Sequence, residues 1–267
     1  MPTLVTLLSD FGSHSPYPAA MKAVLVSCGQ HLLVDISHDV PRHDVRAGAY
    51  LLSTIAPFVP AGTVHLAVVD PGVGTARRPL IVASGGQYFV GPDNGLLLPA
   101  ARRVGRPRPY VITDERLVRA VRSTTFHGRD LFAPAAALLA RGTPPEALGV
   151  PASEVVDLEF GTGRLEGEVL VGEVIYIDPF GNVITNLPVA LLPAAGRRVA
   201  VRVGRREASA SVGRTYADGV RGRPVVVPGS DGFVEIAVRE GSAVSVLRAV
   251  PGTSVRIRTL RGRPRRR

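Results

Sequence analysis

The stretch Val68-Val69-Asp70-Pro71-Gly72-Val73-Gly74-Thr75-Ala76-Arg77-Arg78 joins an apolar run to a glycine-rich turn and two arginines. The apolar run predicts a strand that ends at Asp70, because the Pro-Gly-x-Gly sequence that follows is typical of a turn. In an α/β sheet, ligands bind at the carboxyl ends of the strands. The sequence therefore predicts that Asp70 lies at a ligand-binding edge of a sheet.

Short apolar runs alternate with helical segments through the first part of the chain. The predicted strands lie near residues 3–9, 32–36, 63–70, 80–83, 88–90 and 110–112, and the predicted helices near 19–27, 44–58, 96–104 and 130–141. This alternation predicts an α/β domain with a largely parallel sheet over residues 1–160. The stretch 142–164 is rich in proline, glycine and acidic residues, and we interpret it as a linker.

From residue 165 onward the chain changes to β-branched runs separated by glycine, proline and charged turns. These runs predict strands near residues 169–177, 199–203, 208–212, 224–227, 233–238 and 255–257. A short piece near 189–195 has a helical period. We therefore predict an all-β, barrel-like domain over residues 165–260, followed by a basic tail at 261–267.

The net charge of +10 is concentrated at the end of the chain, where five of the last seven residues are arginine. Aromatic residues, which stack on bases in nucleic-acid-binding proteins, make up only 5% of the sequence. We therefore interpret the tail as a solvated terminus and expect no nucleic-acid partner. The alternative, binding of nucleic acid through the arginines, predicts an affinity that falls steeply with salt.

The chain has no run approaching the roughly 18 apolar residues that a membrane span needs. Its opening, Met1-Pro2-Thr3-Leu4-Val5-Thr6-Leu7-Leu8, lacks the basic leader of a signal peptide. We therefore expect a cytoplasmic protein with no membrane partner. The single cysteine, Cys28, excludes an internal disulfide and a multi-cysteine metal site.

Two polar motifs combine the groups needed to orient and deprotonate a nucleophile. Arg77 lies seven residues after Asp70, close enough to fold back across the turn and pair with it. The stretch Ser123-Thr124-Thr125-Phe126-His127-Gly128-Arg129-Asp130 places His127 on a loop before a helix, which favours a functional role. A purely structural salt bridge is the alternative for the first motif.

Two further motifs suit substrate recognition. Asp10-Phe11-Gly12 closes the first predicted strand, where the carboxylate of Asp10 either accepts ribose hydroxyls or caps a turn. In the second domain, Ile177-Asp178-Pro179-Phe180-Gly181-Asn182-Val183-Ile184-Thr185-Asn186 places an acid, an aromatic ring and an amide on one turn between strands. This set suits an ammonium group or a purine edge, and an Asx turn is the alternative.

The histidines and acids of Asp35-Ile36-Ser37-His38-Asp39 and His43-Asp44 superficially resemble a metal cluster. Their spacing fits no common ligand set, so we expect no metal, and Asp44 or His43 is predicted to cap the following helix. Gly72-Val73-Gly74 lacks the third glycine and the helix of a dinucleotide fingerprint. We therefore expect no cofactor.

Five motifs occur in an order that identifies a family: Ser9-Asp10-Phe11-Gly12, Asp70-Pro71-Gly72-Val73-Gly74-Thr75, Thr125-Phe126-His127-Gly128-Arg129-Asp130, Asp178-Pro179-Phe180-Gly181-Asn182 and Phe233-Val234-Glu235-Ile236-Ala237. On these motifs the chain resembles the S-adenosyl-L-methionine (SAM) hydrolases, also called SAM hydroxide adenosyltransferases. These enzymes are relatives of the SAM-dependent fluorinase and chlorinase. The resemblance runs from Thr6 to about Ile257, with Ser15 standing where relatives carry an acid.

The resemblance implies hydrolysis of SAM to adenosine and L-methionine by in-line attack of activated water on the ribose 5′-carbon. It implies that Asp70, Arg77 and His127 activate the water, and that the enzyme is a homotrimer with active sites between subunits. The substrate-binding residues that follow from it are Asp10, Phe11, Phe126, Asp178, Phe180, Asn182 and Ser230.

The chemistry of SAM agrees with these residue types. The sulfonium leaves as a neutral thioether and needs no general acid, whereas the attacking water needs a position and a base. Either Asp70 or His127 could take the proton. The alternatives are a SAM-dependent halide adenosyltransferase, which is disfavoured because these charged groups crowd a halide pocket, and a SAM- or adenosine-binding protein without turnover.

Overall fold

A computed structural model describes residues 2–118 and 120–260 of the chain, which divides into two compact units between Glu159 and Phe160. The basic tail predicted at 261–267 lies outside the described residues. Within the described residues, no helix combines the length and the apolar character needed to cross a membrane.

In the described part of the chain, the first unit is built on a mixed sheet of seven strands with helices packed against it. The strands are β1 (Thr3–Ser9), β2 (His31–Ser37), β3 (Val64–Val68), β4 (Pro79–Ser84), β5 (Gln87–Pro92), β6 (Arg108–Ile112) and β7 (Gly149–Pro151). The helices are α1 (Pro16–Ser27), α2 (Val45–Ile55), α3 (Leu98–Val104), α4 (Glu115–Val118) and α5 (Ala133–Ala140). A π-helical segment, Gly128–Phe132, leads into α5.

The strand order of this sheet is β2-β1-β3-β5-β4-β6-β7. Of these described strands, β2, β1, β3, β5 and β6 run in one direction, and β4 and β7 run against them. The prediction of a largely parallel sheet is confirmed. The antiparallel β4–β5 pair arises at the two-residue turn Gly85-Gly86, where both glycines have positive φ, as a tight hairpin requires.

The central strands place two predicted site residues at one edge of the sheet. Strands β1 and β3 are parallel neighbours, and Ser9 is paired with Val68. Both strands are buried almost throughout, as expected when helices cover both faces of a parallel sheet. Asp10 and Asp70, which follow these strands, therefore leave the sheet side by side.

The described residues of the second unit form a closed barrel of seven strands. The unit contains β8 (Arg164–Glu166), β9 (Val169–Ile177), β10 (Val183–Pro188), β11 (Arg198–Val203), β12 (Arg206–Val212), β13 (Pro224–Pro228), β14 (Phe233–Val238), β15 (Ser254–Thr259) and the helix α6 (Ala243–Leu247). The barrel order is β10-β14-β13-β12-β11-β15-β9, the β9–β10 pairing closes the ring, and β8 extends the sheet beside β9. The predicted barrel-like domain is confirmed.

Residues 142–164 are more ordered than the predicted linker. Within the first unit, β7 pairs with β6 at the sheet edge. The stretch after β7 is held by Arg78, which donates to the carbonyl of Glu154, and by Asp93, which accepts the backbone N–H of Val156. These partners lie more than sixty residues away in sequence, so the composition of the stretch does not reveal them.

The second unit departs from the sequence-based elements in several places. The turn predicted around Asp178 is shorter than expected, because Val183 and Ile184 begin β10 and are buried between β14 and β9. The helical piece predicted near 189–195 is a 3₁₀ turn at Val189–Leu191, and the helix α6 was not predicted.

Candidate active site

A cavity of about 280 Å³ opens at the edge of the first unit's sheet where β1 and β3 end. It is lined by Asp10, Phe11, Tyr17, Arg42, His43, Val68, Asp70, Val73, Thr125, Phe126, His127 and Gly128. The structure therefore brings together five of the site residues predicted from the sequence. A sixth, Arg77, lies directly behind them.

Arg77 bridges Asp70 and His127 at the wall of this cavity. Its Nε donates to both carboxylate oxygens of Asp70 at 3.0 Å, and its Nη2 donates to Oδ2 at 2.5 Å. The same Nη2 donates to Nδ1 of His127 at 2.8 Å. The Asp70 and Arg77 side chains are only 5% and 9% exposed, so the predicted pairing forms a buried ion pair.

The contact with Arg77 determines the hydrogen-bonding state of His127. A guanidinium has no acceptor, so Nδ1 of His127 accepts the bond and the neutral ring carries its proton on Nε2. Burial, reinforced by the charge of Arg77, lowers the pKa of His127 below its usual value and favours this neutral ring. His127 consequently presents an Nε2–H donor.

The turn between β3 and β4 brings Arg77 back to Asp70. Val73 N donates to Asp70 O at 3.3 Å, and the Thr75 hydroxyl donates to Gly72 O at 2.7 Å, closing two successive tight turns. The next residue, Arg78, points to a different carboxylate and donates to Asp93. The two adjacent arginines therefore bind two different carboxylates, Asp70 at the start of the turn and Asp93 directly after β5.

An aromatic wall of Phe11, Tyr17 and Phe126 lines the same cavity. The ring centroids lie 5.1–5.8 Å apart in edge-to-face pairs. The guanidinium carbon of Arg129 lies 4.9 Å from the centroid of the Phe126 ring. Tyr17 was not predicted as a site residue, although its place in the first turn of α1, close after the Asp10 motif, was a usable signal.

The loop that carries Phe126 and His127 is held by Asp130. This carboxylate pairs with Arg129 and accepts the backbone N–H groups of Arg122 and Ser123 at 3.0 and 2.8 Å. The hydrogen bond from Arg129 is the main cause that lowers the pKa of Asp130. The π-helical segment begins immediately after His127, and such segments are frequent at functional sites.

Asp10 accepts a hydrogen bond from the segment that precedes α2. Its Oδ2 accepts the backbone N–H of His43 at 2.9 Å, and His43 has a φ of 63°, an uncommon left-handed conformation for a residue with a side chain. The predicted capping of α2 is performed by Asp44, whose side chain accepts from Ala47 N. Arg42 and His43, which line the cavity, were not predicted as site residues.

The predicted residues of the second unit lie on two turns of the barrel. Asp178 Oδ1 accepts the backbone N–H groups of Phe180 and Asn182, and Oδ2 accepts from the side-chain amide of Asn182 at 2.8 Å. This is the Asx-type turn that was the alternative interpretation. The Phe180 ring is 80% exposed, and Ser230 is exposed on the turn between β13 and β14.

Two residues without a predicted role, Tyr216 and Glu235, are electrostatically coupled to Asp178. The Tyr216 hydroxyl donates to Glu235 Oε1 at 2.8 Å, and the Glu235 side chain is almost fully buried. Burial raises the pKa of both groups, and the charge of Asp178 raises both further. Glu235 lies in the motif Phe233-Val234-Glu235-Ile236-Ala237, and this was the signal from which sequence reasoning could have found it.

The cluster that superficially resembled a metal site is a hydrogen-bonded network. His38 bonds to Ser9 through Nδ1 and to Asp35 through Nε2. Among the described residues, no group of three or more His, Cys, Asp or Glu side chains is arranged to hold a metal ion.

Comparison with known families covers both units of the chain. A family model described as the SAM hydroxide adenosyltransferase N-terminal domain matches residues 5–149, and the corresponding C-terminal domain model matches residues 172–256. An (R)-S-adenosyl-L-methionine hydrolase from Thermus thermophilus is 44% identical, with 95% of this chain and 98% of that protein covered. The hydrolase of the same name from Salinispora tropica is 40% identical, with 95% and 97% covered.

More distant relatives include a fluorinase from Actinopolyspora mzabensis, which is 28% identical over 95% of this chain and 96% of that protein. Among solved structures, an uncharacterized conserved protein from Thermotoga maritima superposes with a TM-score of 0.89 at 37% identity, covering 95% of this chain and 99% of that one. A conserved hypothetical protein from Thermus thermophilus gives a TM-score of 0.78 at 40% identity, covering 97% and 100%.

Proposed function

Since this chain belongs to the SAM hydroxide adenosyltransferase family, we propose that it hydrolyses SAM to adenosine and L-methionine. The observation that carries the proposal is the buried Asp70–Arg77 pair joined to His127 at the cavity wall. The names of the relatives at 40–44% identity support it. Because SAM is made and used inside cells, we place the reaction in the cytoplasm.

The reaction needs a positioned water and an acceptor for its proton. The water oxygen attacks the ribose 5′-carbon opposite the sulfonium, the new carbon–oxygen bond forms, and the carbon–sulfur electron pair leaves with sulfur as the thioether of methionine. One proton is released, so SAM and water yield adenosine, methionine and a proton. Alignment of the water with the carbon–sulfur bond lowers the barrier by removing the entropy of encounter.

Asp70 is the group that takes the proton in this proposal. His127 uses its Nδ1 lone pair to accept from Arg77 and holds a proton on Nε2, so the neutral ring serves the water as a donor. Arg77 makes three contacts with Asp70 in the described structure, whereas a carboxylate offers about four lone-pair sites. The remaining site accepts from the water, and general-base assistance of this kind contributes about 10²- to 10⁴-fold.

Replacing His127 by glutamine separates the donor role from the base role. The amide N–H of His127→Gln substitutes for the Nε2–H donor, so this variant retains at least about tenfold more activity than His127→Ala if His127 is a donor. The kcat of both variants on SAM is measured at matched thermal stability. Equal kcat values for the two variants would instead favour His127 as the base.

The cavity residues suit the nucleoside part of SAM. We assign the ribose hydroxyls to Asp10 and the apolar faces of the nucleoside and the sulfonium to Phe11 and Phe126, because aromatic faces attract a cation as well as apolar surface. The remaining contacts with the methionine or adenine portions are assigned to residues of the second unit, namely Asp178, Phe180, Asn182 and Ser230.

We propose that the enzyme is a homotrimer in which these second-unit residues come from a neighbouring subunit. The cavity of about 280 Å³ is small beside the roughly 300–1,000 Å³ of typical small-molecule sites, which supports completion by further residues. The exposed Phe180 ring also suits a contact outside its own subunit. Light scattering is expected to show a trimer, and a fully active monomer would reject this assembly.

Mixing two impaired variants tests the shared site directly when the rate is measured at a SAM concentration below the wild-type KM, where the raised KM expected for Asp178→Ala also lowers the rate. Asp70→Ala and Asp178→Ala subunits, refolded together, regain activity if the two residues meet across subunits, since some mixed trimers then contain a site with both residues intact. Asp70→Ala mixed with His127→Ala, two residues of one cavity, is the matched control and stays inactive.

We further propose that the substrate is the (R) form of SAM. The sulfonium sulfur is a stereocentre, and the relatives at 40–44% identity are named hydrolases of the (R) form. Rates on the two separated epimers measure the preference. Faster hydrolysis of the (S) form would contradict it.

The activity itself is tested with SAM in water labelled with heavy oxygen, followed by chromatography and mass spectrometry. We expect equal amounts of adenosine and methionine, with the label on the 5′-oxygen of adenosine. Formation of 5′-halo-5′-deoxyadenosine with added chloride or fluoride would favour the halide transferase alternative, for which the fluorinase relatives are the precedent. Binding of SAM without products would favour a binding protein, and activity that a chelator abolishes and a divalent ion restores would contradict metal-free hydrolysis.

A further inference from the structure

Ser9, His38 and Asp35 form a hydrogen-bonded chain behind the Asp10 side of the cavity. Ser9 Oγ lies 2.8 Å from His38 Nδ1, and His38 Nε2 lies 3.2 Å from Asp35 Oδ1. The other oxygen of Asp35 accepts from Lys22 Nζ at 2.6 Å. Ser9 is 0% exposed, so its hydroxyl is not accessible as a nucleophile despite the Ser-His-Asp composition.

The direction of each hydrogen bond follows from the carboxylate at the end of the chain. Asp35 accepts, so His38 Nε2 carries the ring proton and Nδ1 accepts from the Ser9 hydroxyl. Burial lowers the pKa of His38, which agrees with this neutral ring. Because the Ser9 hydroxyl donates its hydrogen to His38, its oxygen is free to accept the backbone N–H of Phe11, in a long contact of 3.4 Å.

Backbone hydrogen bonds also connect the residues around His38 to the turn that carries Asp10. Gly12 N donates to His38 O at 2.7 Å, and Val40 N donates to Ser9 O at 3.3 Å. Further along, His43 N donates to the Asp10 carboxylate. The segment from His38 to His43 therefore contacts the turn that carries Asp10 both before and after this residue.

From this geometry we infer that His38 is a positioning residue, which acts through Ser9 to hold Asp10 and Phe11 in the orientation that receives the ribose of the substrate. The inference rests on the proposed function, in which Asp10 binds the ribose hydroxyls. Asp35 acts one step further out by fixing the tautomer of His38.

Strand β1, which ends at Ser9, carries a second buried hydroxyl that serves as a matched control. Thr6 Oγ1 lies 2.7 Å from His65 Nδ1, and His65 Nε2 lies 3.0 Å from Gln87 Oε1. This second hydroxyl–imidazole chain is also buried, and none of its three members is among the described residues that line the cavity. Variants that break this second chain therefore measure how much a buried hydrogen-bonded chain contributes to stability when it has no contact with the cavity.

The test uses the affinity ratio between adenosine and 2′,3′-dideoxyadenosine, measured by calorimetry on the full-length protein. The ratio reports how well the ribose hydroxyls are bound and is insensitive to a uniform loss of folded protein. We expect Ser9→Ala and His38→Gln to lower the ratio by about tenfold, the effect of one well-placed hydrogen bond. His38→Asn places an amide oxygen where Nδ1 was, keeps the acceptor for Ser9 and retains most of the ratio.

Thr6→Ala and His65→Gln, matched to Ser9→Ala and His38→Gln, are expected to lower the melting temperature without changing the ratio. Asp35→Ala covers the case in which the buried variants fail to fold, since Asp35 is partly exposed, and it is expected to lower the ratio severalfold. An unchanged ratio in the folded Ser9 and His38 variants, or in Asp35→Ala when those do not fold, overturns the inference and leaves the proposed function intact. A wild-type protein that binds both nucleosides equally overturns the ribose assignment of Asp10 and the inference with it.

Discussion

Asp70 and Asp178 both follow a strand and stand at a tight turn, yet their carboxylates are used in different ways. Asp70 is bound by the guanidinium of Arg77, which reaches on to His127 from another part of the chain. Asp178 is bound by its own turn, through two backbone N–H groups and the amide of Asn182. In the proposed mechanism Asp70 is held for chemistry, whereas Asp178 shapes a turn that is proposed to recognise the substrate.

The electrostatic surroundings of the two carboxylates also differ, because Asp70 is paired with a cation and Asp178 lies near other acids. The charge of Asp70 is compensated within its cluster by Arg77. Asp178 instead lies close enough to the buried Glu235 to raise the pKa of that carboxyl, as does Asp231. Accumulated negative charge of this kind attracts a cation, which fits the ammonium group of a methionine. Substitutions in the two regions should therefore separate rate from affinity.

The largest effect is expected from Arg77→Met, which removes the shared partner of Asp70 and His127. Leaving a buried carboxylate unpaired costs about 3–5 kcal/mol of folding free energy, and the water-activating set is lost with it. Chemical denaturation and kcat on SAM measure the two effects. Arg78→Met, which removes the neighbouring pair with Asp93, is the control, because it is destabilising without touching the reactive set. Near-normal kcat in folded Arg77→Met would refute the role of the bridge.

Asp70→Ala and His127→Ala should each lower kcat by about 10²-fold or more, with a much smaller change in SAM affinity. The double variant should be little worse than the slower single variant, because both groups act on one water. Kinetics and calorimetry on the folded proteins check both statements. If both single variants fail to bind SAM, then Asp70 and His127 are binding residues and the mechanism is wrong.

A smaller effect is expected from pH. The pKa of His127 is lowered from 6.5, so protonation of Nδ1, which breaks its bond with Arg77, occurs only as the pH falls below that value. We expect kcat/KM to fall about tenfold per pH unit on an acid limb centred below pH 6.5. His127→Gln, which has no ring to titrate, should lack this limb. A limb centred at or above the ordinary histidine pKa would contradict the assignment.

The smallest effect on rate is expected from Asp178→Ala. The substitution leaves the N–H groups of the turn without their acceptor, so we expect a loss of about 1 kcal/mol in stability and a raised KM with kcat nearly unchanged. Asp218→Ala is matched to it, since Asp218 also accepts backbone N–H groups on an exposed turn of the same unit. A similar rise of KM in both variants would mean that the effect of Asp178 is structural.

The sequence by itself determined the features that depend on a few neighbouring residues. The apolar runs identify β1 and β3, the Pro-Gly-x-Gly turn places Arg77 near Asp70, and one of the two predicted caps of α2, Asp44, is the residue that caps it. Period and turn chemistry act over about one turn or one strand, so a local pattern is enough to predict them. The loop position of His127 before a helix also marked it as a candidate, although nothing local connects it with Arg77.

Tertiary structure alone decided which distant groups meet. Arg77 and His127 are fifty residues apart, and their contact exists because the loop before α5 packs against the end of β3. The edge strand β7, the strand β10 and the Ser9–His38 chain likewise depend on partners from elsewhere in the sheet or barrel. The tautomer of His127, and with it the choice between acid, base and donor, is a property of such a contact. No local pattern encodes it, because the hydrogen-bond partner is chosen by the packing of the whole unit.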